Sequence, residues 1–129
     1  MLASRVFERI AVGHIRALGY DDLRMTHFAL IRNLRAQGSR TTEIAELSNM
    51  TKQAVGALAH ELEDLGYVRR YPDPTDGRAK LVRFTERGLE LVARLPEALH
   101  RTEQEFAEIV GEAQFRAMKK ALQRVIAAP

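Results

Sequence analysis

The stretch TEIAELSNMTKQAVGALAHELEDLG, Thr42 to Gly66, decides the fold of this 129-residue chain. Thr42 suits the cap of a short helix over Glu43 to Leu47, and Glu43 lies favourably at the positive end of that helix dipole. Ser48-Asn49-Met50 interrupts it. Thr51 can cap a second helix reaching Leu65, and Gly66 follows at the position that favours a left-handed residue. Val55, Leu58, Leu62 and Leu65 recur at the spacing of one buried face. Two short helices joined by a tight turn, the second amphipathic, form a helix-turn-helix pattern.

Downstream, Tyr67-Val68-Arg69-Arg70-Tyr71 and Leu81-Val82-Arg83-Phe84 are rich in branched and aromatic residues, as strands are. Between them Pro72-Asp73-Pro74-Thr75-Asp76-Gly77-Arg78-Ala79-Lys80 has the chemistry of a turn. A β-hairpin directly after a recognition-type helix is a wing. Thr85 can then cap a long helix from about Glu86 towards Val110, in which Pro96 should produce a kink or break. A last helix, Glu112 to Ala127, carries Phe115, Met118, Leu122, Val125 and Ile126 on one face. Upstream, Leu2 to Leu18 reads as a helix with Leu2, Val6, Ile10 and Ile15 in a stripe. Gly19 to Asp22 reads as a turn, and Thr26 to Ala36 as a second helix with Gly38 beyond its end.

Bulk composition bounds the function. Hydrophobic residues make up 46% and charged residues 29%, an ordinary globular balance, and the length suits one domain. There is no cysteine, which excludes disulfides, thiolate metal sites and a cysteine nucleophile within the sequence. No apolar run is long enough to span a membrane, and the segment after Met1 is amphipathic, so a cytoplasmic protein without membrane contact is expected. The net charge is only +3, and residues 39–88 carry eight basic and eight acidic side chains, so any cationic surface must arise from arrangement. His14, His27, His60 and His100 are dispersed, and no hydrolase, metalloprotease or phosphate-loop motif occurs. Neither an enzyme nor a metal or other cofactor is expected.

The run from Thr42 through Thr51-Lys52-Gln53-Ala54-Val55 to Glu61-Leu62-Glu63-Asp64-Leu65-Gly66-Tyr67-Val68 resembles the helix-turn-helix of MarR-family transcriptional regulators. Asp73-Pro74-Thr75-Asp76-Gly77-Arg78-Ala79 and Phe84-Thr85-Glu86-Arg87-Gly88 resemble that family's wing and the start of its long helix. Residues 26–88 carry the likeness in register. It implies a mainly α fold with a small β-hairpin: residues 24–88 form a winged helix-turn-helix, flanked by dimerisation helices at 1–20 and 89–129. Two positions depart from the pattern. Ala57 stands where many relatives have a basic residue, and Gly77 where many have arginine, which leaves Arg78 as the wing-tip reader.

The chemistry of such a helix in the major groove assigns Thr51, Lys52, Gln53 and Gly56 to DNA, with His60 one turn further on. Gln53 has the donor and acceptor pair for adenine, Lys52 suits guanine or phosphate, and Thr51 offers a hydroxyl and oriented amides. Gly56 permits close approach. Arg78 suits the negative minor groove, with Lys80 beside it. Asp76 is read as holding the wing tip through an arginine, and Arg70 either supports the wing or is a buried structural partner.

One module makes too few contacts for operator specificity, so a homodimer on palindromic double-stranded DNA is expected, its recognition helices about 34–36 Å apart. Val6, Ile10, Phe106, Ile109, Phe115, Met118, Leu122 and Val125 are assigned to an intersubunit bundle, part of which could instead pack within one subunit. The resemblance also implies a cleft for a small aromatic or anionic effector, for which His27, His14 and Arg16 are the candidates, and a repressor released by that effector. The rival reading is a winged-helix module that docks on protein rather than on DNA.

Overall fold

The computed structural model describes residues 2–129, with the side chains of Leu2 and of residues 76–79 outside the described set. The elements in chain order are α1 (Leu2–Ala17), α2 (Met25–Ile31), β1 (Ser39–Arg40), α3 (Thr41–Ser48), α4 (Lys52–Asp64), β2 (Val68–Asp73), β3 (Asp76–Phe84), α5 (Glu86–Val110) and α6 (Glu112–Ala127). They form two compact units, one of residues 20–94 and one of residues 1–19 with 95–129.

In the unit of residues 20–94, α2, α3 and α4 surround a core of Leu30, Ile44, Val55, Leu62 and Val82, each with no more than a trace of exposure. Burial of such side chains is the main stabilising term, about 1.5–3 kcal/mol each. α4 buries Val55, Leu58 and Leu62 as its periodicity predicts, together with Ala59, while Leu65 is its C-cap and is only half-buried. Thr51 caps it by accepting the Ala54 N–H at 3.0 Å, and Gly66 has φ +87° just past its end. The break before it is made by Asn49, which adopts a left-handed conformation at φ 55°.

Several boundaries differ from expectation. α2 ends at Ile31 rather than Ala36, because the chain tightens into i to i+3 bonds at Asn33 and Leu34. The Asn33 amide also donates to the Ala29 carbonyl at 2.8 Å, the kind of local bond that competes with helix continuation. α3 starts at Thr41, with Arg40 and not Thr42 in the cap position. β1 is a strand of only two residues, with no sequence pattern of its own. It pairs with β3 through Ser39↔Val82 and Arg40↔Leu81, giving the antiparallel order β1-β3-β2.

The hairpin is longer and its turn tighter than Pro72–Lys80 suggested, since β2 runs to Asp73 and β3 begins at Asp76. Pro72 is tolerated because β2 is an edge strand and needs no N–H there. α5 runs through Pro96 without a break. One missing donor is outweighed by apolar positions buried on both sides of it, Leu91 and Ala98. Gly88 lies in the first turn of α5, where an added Cβ would run into the Tyr67 carbonyl oxygen.

In the other unit, Phe7 packs edge-on to Phe106 with ring centroids 5.2 Å apart, and Phe106 meets Phe115 at 6.3 Å. No residue of α6 is buried. No helix among the described residues is long and apolar enough to cross a membrane.

Candidate nucleic-acid interface

The sequence of α4 separates two faces. Opposite the buried stripe, Thr51, Lys52, Gln53, Ala57 and His60 are exposed, and Gly56 is half-buried with open space where a Cβ would stand. The Thr51 cap consumes one of the free amides at the helix start. Lys52 and Gln53 project from the first turn with no partner among the described residues, so both polar ends remain available. The exposed edge of α4 therefore offers donors and acceptors along a ridge whose centre, Gly56-Ala57, is low.

His60 lies further along this ridge. Arg70 Nη2 stands 3.0 Å from His60 Nδ1. A guanidinium only donates, so Nδ1 is the acceptor and Nε2 bears the proton. That N–H faces Asp64 at 3.4 Å. Arg70 in turn is held by Glu63, whose Oε1 accepts from Nε at 3.2 Å and from Nη2 at 3.0 Å, while Oε2 accepts the Arg70 backbone N–H at 2.9 Å. That backbone hydrogen bond, opposed by desolvation and reinforced by the guanidinium, holds the Glu63 carboxyl below the usual carboxylate range. Arg70 is thus a structural partner that ties β2 to α4 at the wing's base.

At the wing's end, Asp73 accepts the Thr75 N–H at 2.8 Å and the Thr75 hydroxyl at 2.7 Å. Arg40 Nε lies 2.6 Å from its other oxygen. The Asp76 and Arg78 side chains, assigned in sequence to holding and reading at the tip, lie outside the described residues. The carboxylate seen anchoring the turn is Asp73. Its signal, an aspartate two residues before a threonine in a proline-rich turn, is legible in sequence, whereas its arginine partner, 33 positions earlier, is not. Lys80 is exposed on β3 opposite Pro72.

A second polar cluster fixes the other end of the hairpin. The Tyr67 hydroxyl donates to Asp22 at 2.6 Å, and Arg87 lies over the Tyr67 ring at 4.3 Å while donating to Asp22 at 3.0 Å and to the Leu65 carbonyl at 2.6 Å. Burial and the Asp22 acceptor push the Tyr67 phenol well up. None of these residues was legible as a site, because their partners come from separate segments.

The three effector candidates are divided between the two units, His27 in residues 20–94 and His14 and Arg16 in the other. His27 is 2% exposed and committed on both sides of its ring. Its Nδ1 accepts the Arg24 N–H at 2.9 Å, and its Nε2 reaches Glu61 at 2.9 Å. Both ring nitrogens are thus engaged within the chain, which gives His27 a structural role. His14 belongs to the other unit, 2.6 Å from Glu105, and Arg16 there is exposed. The apolar residues assigned between subunits divide likewise. Phe106 and Phe115 are partly satisfied within the chain by their mutual ring contact, and Val6 and Ile10 are half-buried. Ile109, Met118, Leu122 and Val125 stay exposed, Val125 to 71%. Among the described residues no group of three or more metal-ligating side chains comes together.

A capped recognition helix with a free polar edge, joined through Arg70 to a three-stranded wing, defines the class of winged helix-turn-helix regulators. The MarR family model matches residues 21–79. The chain is 29% identical over 128 residues to the HTH-type transcriptional repressor IacR of Pseudomonas putida, covering 95% of this chain and 74% of that protein. Its fold is similar to that of wild-type MarR from E. coli in the apo form, with a TM-score of 0.80 at 19% identity, over 96% of this chain and 91% of that one. A MarR-family transcriptional regulator from a Rhodococcus species matches with a TM-score of 0.68 at 25% identity, over 96% of this chain and 89% of that one. The chain is thus similar to MarR-family transcriptional regulators in sequence over residues 21–79 and in fold over nearly its whole length.

Proposed function

We propose that this protein is a cytoplasmic homodimeric repressor that binds a pseudo-palindromic DNA site through α4 and the wing. The observation that carries the reading is the exposed edge of α4, with Lys52 and Gln53 free beside the Thr51 cap and a low centre at Gly56. Gln53 and Lys52 read base edges in the major groove, Thr51 and His60 contact the phosphates that flank them, and Arg78 with Lys80 enters the minor groove. Residues 24–88 act as the DNA-binding region, with 1–20 and 89–129 providing the dimer. The exposed Ile109 at the end of α5 and the exposed Met118, Leu122 and Val125 of α6 support that assignment, because an apolar stripe left in water is stabilised once a second copy covers it. The repressor role is drawn from the relative named as one. Release by a small aromatic or anionic effector rests on the family likeness alone, and no side chain is assigned to it.

The test is fluorescence anisotropy with duplexes recovered from a pooled random-sequence library, at two salt concentrations, for the wild type and for Gln53→Ala and Arg78→Ala. The expected result is steeply salt-dependent binding of one dimer per duplex, weakened in both variants. Binding that stays at the non-specific level, roughly 10⁻⁴–10⁻⁶ M at physiological salt, overturns the reading in favour of a protein-docking wing.

A further inference from the structure

The wing is held by a contact that its own strands do not supply. Arg40 is the second residue of the two-residue β1 and the cap residue of α3. Its backbone pairs with Leu81 of β3, yet its side chain crosses that strand to the end of β2. There Nε lies 2.6 Å from Asp73 Oδ2, and Nη2 donates to Thr75 Oγ1 at 2.7 Å. Thr75 closes the ring by donating its hydroxyl and its N–H to Asp73 Oδ1, at 2.7 and 2.8 Å. One guanidinium thus holds the last residue of β2 and the second residue of the turn.

Three features make this grip decide where the hairpin points. The ladder shifts register between Pro72 and Asp73, and such a bulge bends a strand and re-aims the residues beyond it. Backbone pairing is thin at that place, because Pro72 has no N–H and β2 is an edge strand. Asp73 is 4% exposed, and a carboxylate removed from water stays ionised only while its partners remain. The residue after the register shift is therefore held by the side chain of the α3 cap residue as well as by its single ladder pair with Asp76. The Arg40 charge is matched by Asp73, so Arg40 is not a spare cation awaiting phosphate.

We propose that Arg40 is a positioning residue for the wing: by holding Asp73 and Thr75 together it sets the direction in which the hairpin tip leaves the sheet and so its entry into the minor groove. This rests on the DNA-binding reading above. The test compares the wild type with Arg40→Gln and Arg40→Lys on a duplex recovered from a random-sequence pool by the wild-type protein. Hydroxyl-radical cleavage reports the minor groove and backbone, guanine N7 methylation reports the major groove, and circular dichroism checks the fold. Lysine keeps the charge but lacks the fork that reaches two acceptors at once.

Both variants are expected to keep the major-groove protection given by α4, to lose protection where the wing lies, and to bind about tenfold or more weakly, the weight of one base-pair contact. If the glutamine variant does not fold, the lysine variant decides. Minor-groove protection that survives in a folded Arg40→Gln, or an Arg40→Lys indistinguishable from wild type, overturns the positioning role while leaving the DNA reading intact. Wild-type protein that protects neither groove on any recovered duplex overturns the DNA reading and the proposal with it.

Discussion

His27 Nε2 lies 2.9 Å from Glu61 Oε2, and this contact joins the first turn of α2 to the last turn of α4. Because the opposite ring nitrogen accepts the Arg24 N–H, the imidazole is neutral, with its proton on the Glu61 side. Arg24 reaches the same carboxylate oxygen at 2.5 Å, so one exposed glutamate organises a buried ring and the entry to α2. His27→Ala leaves a cavity and an uncapped amide. We expect a loss of about 2 kcal/mol in unfolding free energy, read from urea melts at neutral pH.

The same pair sets a pH dependence. The hydrogen bond from His27, opposed by desolvation and helped by Arg24, holds the Glu61 carboxyl below its ordinary value of 4.5. Hydrogen bonds from the Thr75 N–H and hydroxyl do the same for Asp73 relative to 3.8. A carboxylate whose folded value is depressed stabilises the fold above its unfolded value, and that contribution disappears as pH falls through the lowered one. The urea midpoint should be level above the ordinary carboxylate range and fall progressively below it. Glu61→Gln should flatten part of that fall, and an unchanged curve would show that the contact contributes nothing.

Two glycines predict opposite outcomes. Gly56 sits inside α4 with nothing near its missing Cβ, so Gly56→Ala should raise stability by roughly 0.5–1 kcal/mol through helix propensity. It should also weaken DNA binding, because the new methyl fills the low point of the proposed contact edge. Gly88→Ala would push a methyl into the Tyr67 carbonyl and should cost about 1–3 kcal/mol. Thermal melts and anisotropy on the same preparations separate the two effects.

Association is tested on α6. Leu122 is 55% and Val125 71% exposed, and a carboxylate at either position costs the isolated chain little. Leu122→Glu and Val125→Glu should therefore leave the helical circular dichroism unchanged and convert a dimer to a monomer in sedimentation velocity. Variants that sediment like the wild type would remove this face from the interface.

Much of the architecture was legible because it is written locally. The stripe Val55, Leu58, Leu62, the Thr51 cap and the left-handed Gly66 all act within one or two turns, and each appears in α4 as expected. The third strand was not legible, since Ser39 and Arg40 become a strand only by pairing with Val82 and Leu81. The end of α2 was misjudged for a related reason, and of the kink or break expected at Pro96 the break does not occur. Local propensity proposed one outcome, and the bonds and burial available to the folded chain selected another.

The candidate site divides along the same line. By itself the sequence determined which residues line the exposed edge of α4, because helical periodicity assigns Lys52, Gln53 and His60 to one side once the apolar side is known. Only the tertiary structure decided what anchors that edge and the wing: Glu63 on Arg70, Arg40 on Asp73 and Thr75, and Glu61 on His27. Periodicity carries information along one helix or strand. A polar pair between segments depends on distances and desolvation that exist only after the chain has packed.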